Sequence, residues 1–192
     1  MNLCYNRPQE VNDMTLNEAK ILLERNRIPY HIAQYESEAE YLRHLMPSPY
    51  IQNIPKCKII ALVIPSVNGV KDIELQFNRL RGEYIFQELW FGGFGFDLFN
   101  PEPHILEADL LDTIGRIVDG KLAVIGCYNL KRKRWISDGY YDLTDDDNVF
   151  GAPGYREAIA KIEAPKTFWQ KLTGKQLQYD IYDWRTYRQV IK

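Results

Sequence analysis

The chain has 192 residues, 45% of them hydrophobic and 26% charged. Those proportions exclude a disordered tail, a collagen-like fibre and a disulfide-stapled miniprotein, and the length allows a core that removes roughly 70% of the unfolded surface from water. The 24 basic and 26 acidic side chains leave a formal charge of −2, so no overall field draws the protein to DNA or to an anionic membrane.

The first predicted element is a helix opened by a capping box. The Thr15 hydroxyl and the Glu18 carboxylate can each satisfy a backbone N–H that the first turn leaves unpaired. Leu16, Ala19, Leu22 and Leu23 then recur on one face. Asn26 and the Ile28-Pro29 step end the helix, because a residue before proline is pushed out of helical geometry. Residues 29–35 read as a short strand, and Ser37 with Glu40 reads as a second capping box opening a helix that stops before Pro47. A proline-rich connector follows, over residues 46–55.

Residues 58–65 form a continuous apolar strand, Asn68-Gly69 is a tight-turn dipeptide, and residues 71–78 alternate. In that alternation Ile73, Leu75 and Phe77 point one way and Asp72, Glu74 and Gln76 the other. One face is therefore buried, and the other is wet or touched by something polar. A turn at Arg81-Gly82 returns the chain as a third strand, 83–91. Gly92, Gly93 and Gly95 interrupt the aromatic stretch that follows.

A helix is predicted from about Ile105 to Val118, with Leu106, Leu110, Ile114 and Ile117 as its apolar stripe. Residues 121–128 read as a strand buried on both faces, paired with 135–143 across the basic turn 131–134. Short helices are expected at 155–162 and 166–172, a strand at 176–182, and a closing helix over 184–191. Hairpins with helices grouped between them give an α+β fold on a largely antiparallel sheet, with helices mainly on one face. One domain over 1–192 is expected, the helix–strand–helix start (1–50) being the only separable lobe. Residues 19–32 are similar to the helix–strand start of small α/β proteins, including aminoacyl-tRNA editing domains. That similarity covers about the first fifth of the chain and brings no catalytic motif.

Few patterns point to chemistry. Cys4, Cys57 and Cys127 lack metal or redox spacing. Cys127 with His104 is the best nucleophile–base pair by arithmetic, against the plainer reading of a core strand cysteine. His104 and Glu107 share a helix face without the matching pairs a di-metal site needs. The acidic stretch 142–148 fails as a calcium loop, since Asp147 stands where glycine is needed and Pro153 where a bidentate glutamate is needed. The glycine-rich stretch 92–95 lacks the lysine and the following helix of a phosphate loop. No cofactor and no metal are therefore expected.

What remains is aromatic content, which fits either a protein interface or a core rich in aromatics, the core being the plainer reading for Trp90 and Trp135. Trp90, Phe91, Phe94 and Phe96 flank the glycines, with Asp97 beside them. Tyr128 and Trp135 flank the basic tip Lys131, Arg132, Lys133 and Arg134. A third cluster holds Tyr179, Tyr182, Trp184 and Tyr187. The reading is a non-catalytic, macromolecule-binding module of interaction or immunity type, with a protein partner and homo-oligomerisation open. One alternative is a small enzyme with an aromatic pocket and a catalytic carboxylate such as Asp97. Another is nucleic-acid binding through the basic tip, which the acidic run ten residues downstream would oppose. The start of the chain lacks a signal-peptide pattern, and the longest apolar run (59–64) is far below the roughly 20 residues of a membrane span. A cytoplasmic setting and no membrane contact are expected.

Overall fold

The computed structural model describes residues 14–45, 57–80, 82–96, 98, 103–132, 134–144, 154–165 and 176–192. Its described elements are four helices and nine strands in two antiparallel sheets, an α+β fold built from hairpins. The chain divides into two compact units, 1–114 and 115–192, with the boundary inside one helix.

In the first unit α1 (Leu16–Arg25) opens as its capping box dictates. Glu18 N–H donates to the Thr15 hydroxyl at 3.3 Å, and Thr15 N–H donates to the Glu18 carboxylate at 2.7 Å. Its far end closes in a Schellman motif: Ile28 N–H bonds Leu23 O, and Arg27 N–H bonds Glu24 O. Arg27 therefore sits at φ +56°, a left-handed position that glycine normally fills. A bridge from Thr15 to Ile85 and a bond from Phe86 N–H to Met14 O tie the helix start to the sheet.

β1 (His31–Tyr35) joins that sheet directly. α2 (Glu38–Leu45) follows, with Ser37 Oγ accepting from Glu40 N–H at 3.2 Å while the Glu40 carboxylate reaches back to Glu36 N–H at 2.9 Å. β2 (Ile59–Ile64), β3 (Ile73–Leu80), β4 (Glu83–Phe91) and β5 (Phe94–Phe96) complete a five-stranded meander in chain order. The β2–β3 connection is organised by Asn68, whose Oδ1 accepts from Val70 N–H, Lys71 N–H and the Ser66 hydroxyl. Tyr41 and Leu45 of α2 pack onto Ile59, Ala61 and Val63, with Ala33, Tyr35 and Trp90 around them. The pairing register, Val63 with Glu74 and Glu74 with Trp90, places Glu74 and Gln76 on that same face. The polar face of β3 is thus neither wet nor open: Glu74 is 2% and Gln76 4% exposed.

α3 (Pro103–Val118) buries the expected stripe Leu106, Leu110, Ile114 and Ile117. In the second unit β6 (Leu122–Asn129) is buried along its whole length, because it lies between β7 (Arg134–Asp142) and β8 (Leu177–Tyr182). α4 (Tyr155–Glu163) places Ala158 and Ile162 against Ile125 and Ile181. The expected closing helix over 184–191 is instead a strand, β9 (Tyr187–Ile191), paired with β8. Asp183 decides this locally. Its carboxylate accepts from Arg185 N–H, Thr186 N–H and the Thr186 hydroxyl, which turns the chain back before a helix can start. The expected helix over 166–172 lies outside the described residues.

Candidate functional sites

The glycine-rich aromatic stretch is a hairpin, and most of it faces inward. Gly92, at φ +56°, begins a two-residue turn between β4 and β5, with its N–H on Asp72 O. Phe91 is fully buried and Phe96 is 8% exposed, so both belong to the core and offer no contact surface. Phe94 stacks edge-to-face on Phe96 at 4.9 Å. Trp90 is half-buried, its indole N–H donating to Gln76 Oε1 at 2.9 Å. Gly95 has a steric cause, since a Cβ there would lie 2.2 Å from Glu88 Oε1. Asp97 lies outside the described residues.

The same face of this sheet carries a polar group that sequence reasoning missed. The Glu74 carboxylate is 3% exposed, and its Oε1 lies 2.9 Å from Nε2 of His44, a ring that remains 51% exposed. The other oxygen, Oε2, and the Tyr41 hydroxyl are both buried without a hydrogen-bond partner among the described residues. The hydrogen bond to Glu74 raises the His44 pKa, against the opposing pull of burial. Burial, with the Glu74 charge second, pushes the Tyr35 phenol up to about 12 and holds Tyr41 well above its ordinary value. A buried carboxylate that orients a half-exposed imidazole keeps that ring protonated further into the neutral range. The signal available in the sequence was the Glu74/Gln76 alternation, but only α2 shows that the face is covered.

In the second unit, two of the three aromatic clusters reach one sheet. The register aligns Gly126 with Asp138 on one side and Asp180 on the other, and Asp180 with Gln189. Asp180 is 2% exposed, and its Oδ1 accepts from Gln178 and Gln189 Nε2. The Tyr128 ring folds back over Gly126, within 3.2 Å of where a Cβ would stand. Burial, then the charges of Asp180 and Asp138, push the Tyr128 phenol up. Tyr128 and Tyr182 are therefore buried, while Tyr179 and Tyr187 are half-buried. Tyr179 packs on the other face with the α4 cluster, beside Cys127, whose thiol burial pushes up. A nucleophile needs the opposite shift, and the side chain of His104 lies outside the described residues.

β7 is the exposed part. It is an edge strand whose outer side is paired with no other strand among the described residues. Along it Trp135 is 43%, Ile136 42% and Tyr140 52% exposed. A register shift opposite Cys127 and Tyr128 places Ile136 at a bulge. Burial raises the pKa of Asp138, while the neighbouring Trp135 indole pulls it down. Lys131 and Arg132 are exposed at the tip that precedes the strand, and Arg132 N–H is held by Asn129 Oδ1. Lys133 and the Arg134 side chain lie outside the described residues.

Charge is divided unevenly between the units. Residues 1–114 hold 10 basic and 16 acidic side chains (net −6), and residues 115–192 hold 14 and 10 (net +4). The acidic run 145–147 lies outside the described residues. Arg134 opposes Asn129 at one end of the hairpin and Asp142 opposes Leu122 at the other, about 24 Å apart at the rise of a strand. Asp142 is itself paired with Arg116 and holds Thr144. Among the described residues no group of three His, Cys, Asp or Glu side chains is arranged to hold a metal ion, and no helix is long and apolar enough to cross a membrane. No family model matches the chain, and neither a curated protein nor a solved structure is significantly similar to it.

Proposed function

We propose that this protein is a non-catalytic binding module for another protein, acting in a cytoplasmic setting, and that strand β7 is its contact surface. One observation carries the reading: an edge strand exposes Trp135, Ile136 and Tyr140 together. Native sheets normally blunt such edges with charge, proline or a covering element, because an apolar edge recruits other chains. Trp and Tyr there offer large contact area at low entropic cost.

The test is capture from host lysate on the tagged full chain, with nuclease, at low and high salt, in parallel with a Trp135→Ser/Tyr140→Ser variant. A specific protein held at high salt by the wild type and lost by the variant, with thermal stability unchanged to within about 2 °C, is the expected result. Retention that nuclease or salt abolishes would transfer the reading to nucleic acid at the basic tip. Equal retention by both proteins would remove β7 from the contact surface.

A further inference from the structure

We infer that β7 takes up an extended acidic protein segment as a fifth strand of its sheet. This rests on the binding reading above and adds to it the mode of contact and the class of partner.

The backbone directions come from one bond. Leu143 N–H donates to Lys121 O, so Leu143 turns its main-chain groups toward the neighbouring strand. Residues of an antiparallel strand alternate in this respect. Tyr141 and Gly139, opposite Ala123 and Ile125, therefore also turn inward, while Asp138 and Asp142 turn their N–H and C=O outward. The central strand agrees from its other side. Leu130 N–H donates to Gln176 O, so its even-numbered residues address β8 and its odd-numbered ones address β7. The outward groups of β7 form a ladder to which an added strand can pair, the mode by which sheet edges take up extended peptides.

Charge selects the occupant. The ladder begins at the exposed Lys131 and Arg132, on a unit that carries +4. Of the carboxylates on the strand itself, Asp142 is paired with Arg116. An added strand with aspartate or glutamate at the end beside the tip, and apolar residues against Trp135, Ile136 and Tyr140, satisfies both features. A nucleic acid is the weaker fit. Its phosphates would run past Asp138 and Asp142, and it would leave Ile136 without a partner.

The test is selection of a random 12-residue peptide display library on the immobilised full chain, followed by hydrogen exchange on the isotope-labelled protein with the best peptide. The expected consensus alternates β-branched or aromatic residues with polar ones and carries acidic residues at one end. On binding, exchange at the amides of Asp138 and Asp142 slows at least tenfold. A Lys131→Glu/Arg132→Glu variant, altered only at exposed turn positions, weakens the selected peptide at least tenfold. Absence of any consensus, a basic consensus, or binding without slowed exchange at those two amides would each overturn the inference. Displacement of the peptide by a 12-nucleotide oligothymidylate would do the same in favour of nucleic acid. If lysate capture still depends on Trp135 and Tyr140 in such a case, the binding reading stands and only strand addition and the acidic partner fall.

Discussion

Replacing His44 with glutamine isolates the charge contribution of the buried Glu74 carboxylate. Among the described residues the Glu74 carboxylate is held at 2.9 Å by the His44 ring, and its second oxygen has no hydrogen-bond partner. Removing one partner of a fully buried ion pair costs about 3–5 kcal/mol, because the other charge is stranded. The His44 side chain is 51% exposed, so solvent screens much of its interaction and about 1–2 kcal/mol is the appropriate range. For a chain of this length that corresponds to a fall in Tm of roughly 2–8 °C.

The sign with pH follows from the direction of the shift. The Glu74 hydrogen bond raises the His44 pKa in the folded state, with the Asp72 charge adding and burial and Lys71 opposing. The contribution is therefore fully present below the unfolded value of about 6.5 and is lost as pH rises through the folded value. Scanning calorimetry of wild type and His44→Gln at pH 6 and pH 9 should show a clear deficit for the variant at pH 6 that shrinks toward zero at pH 9. Taking the difference between two proteins at each pH cancels the titrating groups that do not interact with position 44. A deficit equal at both pH values would refute the charge argument and leave His44 as a packing residue.

Two further substitutions test local physics. Arg27→Gly should stabilise the chain by about 0.5–1 kcal/mol in urea unfolding: the left-handed conformation costs an L-residue roughly 1–2 kcal/mol, partly offset by the greater freedom of glycine when unfolded; a loss of stability would show that the Arg27 side chain contributes more than its φ of +56° costs. Gly95→Ala should destabilise by less than about 1 kcal/mol, since its Cβ meets only the movable end of the Glu88 side chain, and Glu88→Ala should remove that cost in the double variant. Purely additive effects would show that the glycine is required for its backbone alone.

The candidate surfaces were only partly legible. Aromatic content marked Trp135, which is exposed, but it marked Phe91 and Tyr128 equally, and these are buried. Nothing local separates a ring that fills a core from one that faces a partner, because both are apolar residues on alternating strands. Glu74 was visible as a polar position on an alternating strand, and alternation alone assigns such a position to solvent or a polar contact. The covering helix converts it into a buried carboxylate.

What the sequence by itself determines is whatever depends on neighbours a few residues apart. The Thr15–Glu18 box starts α1, the stripe from Leu106 to Ile117 sets the buried side of α3, and the Asn68-Gly69 and Gly82 turns fold the meander. Interactions of three or four residues' reach are enough to specify where these elements start, turn and face. Tertiary structure decided the rest. The segment 187–191 has a composition that suits either helix or strand; the Asp183 turn is a local signal the sequence carried, and β8 supplies the ladder that makes the segment β9. Strand order places β6 inside its sheet and β7 at the edge, although both are strands of similar length. An edge is a property of the assembled sheet, created by which strand has no neighbour among the described residues, and no residue within the strand encodes it.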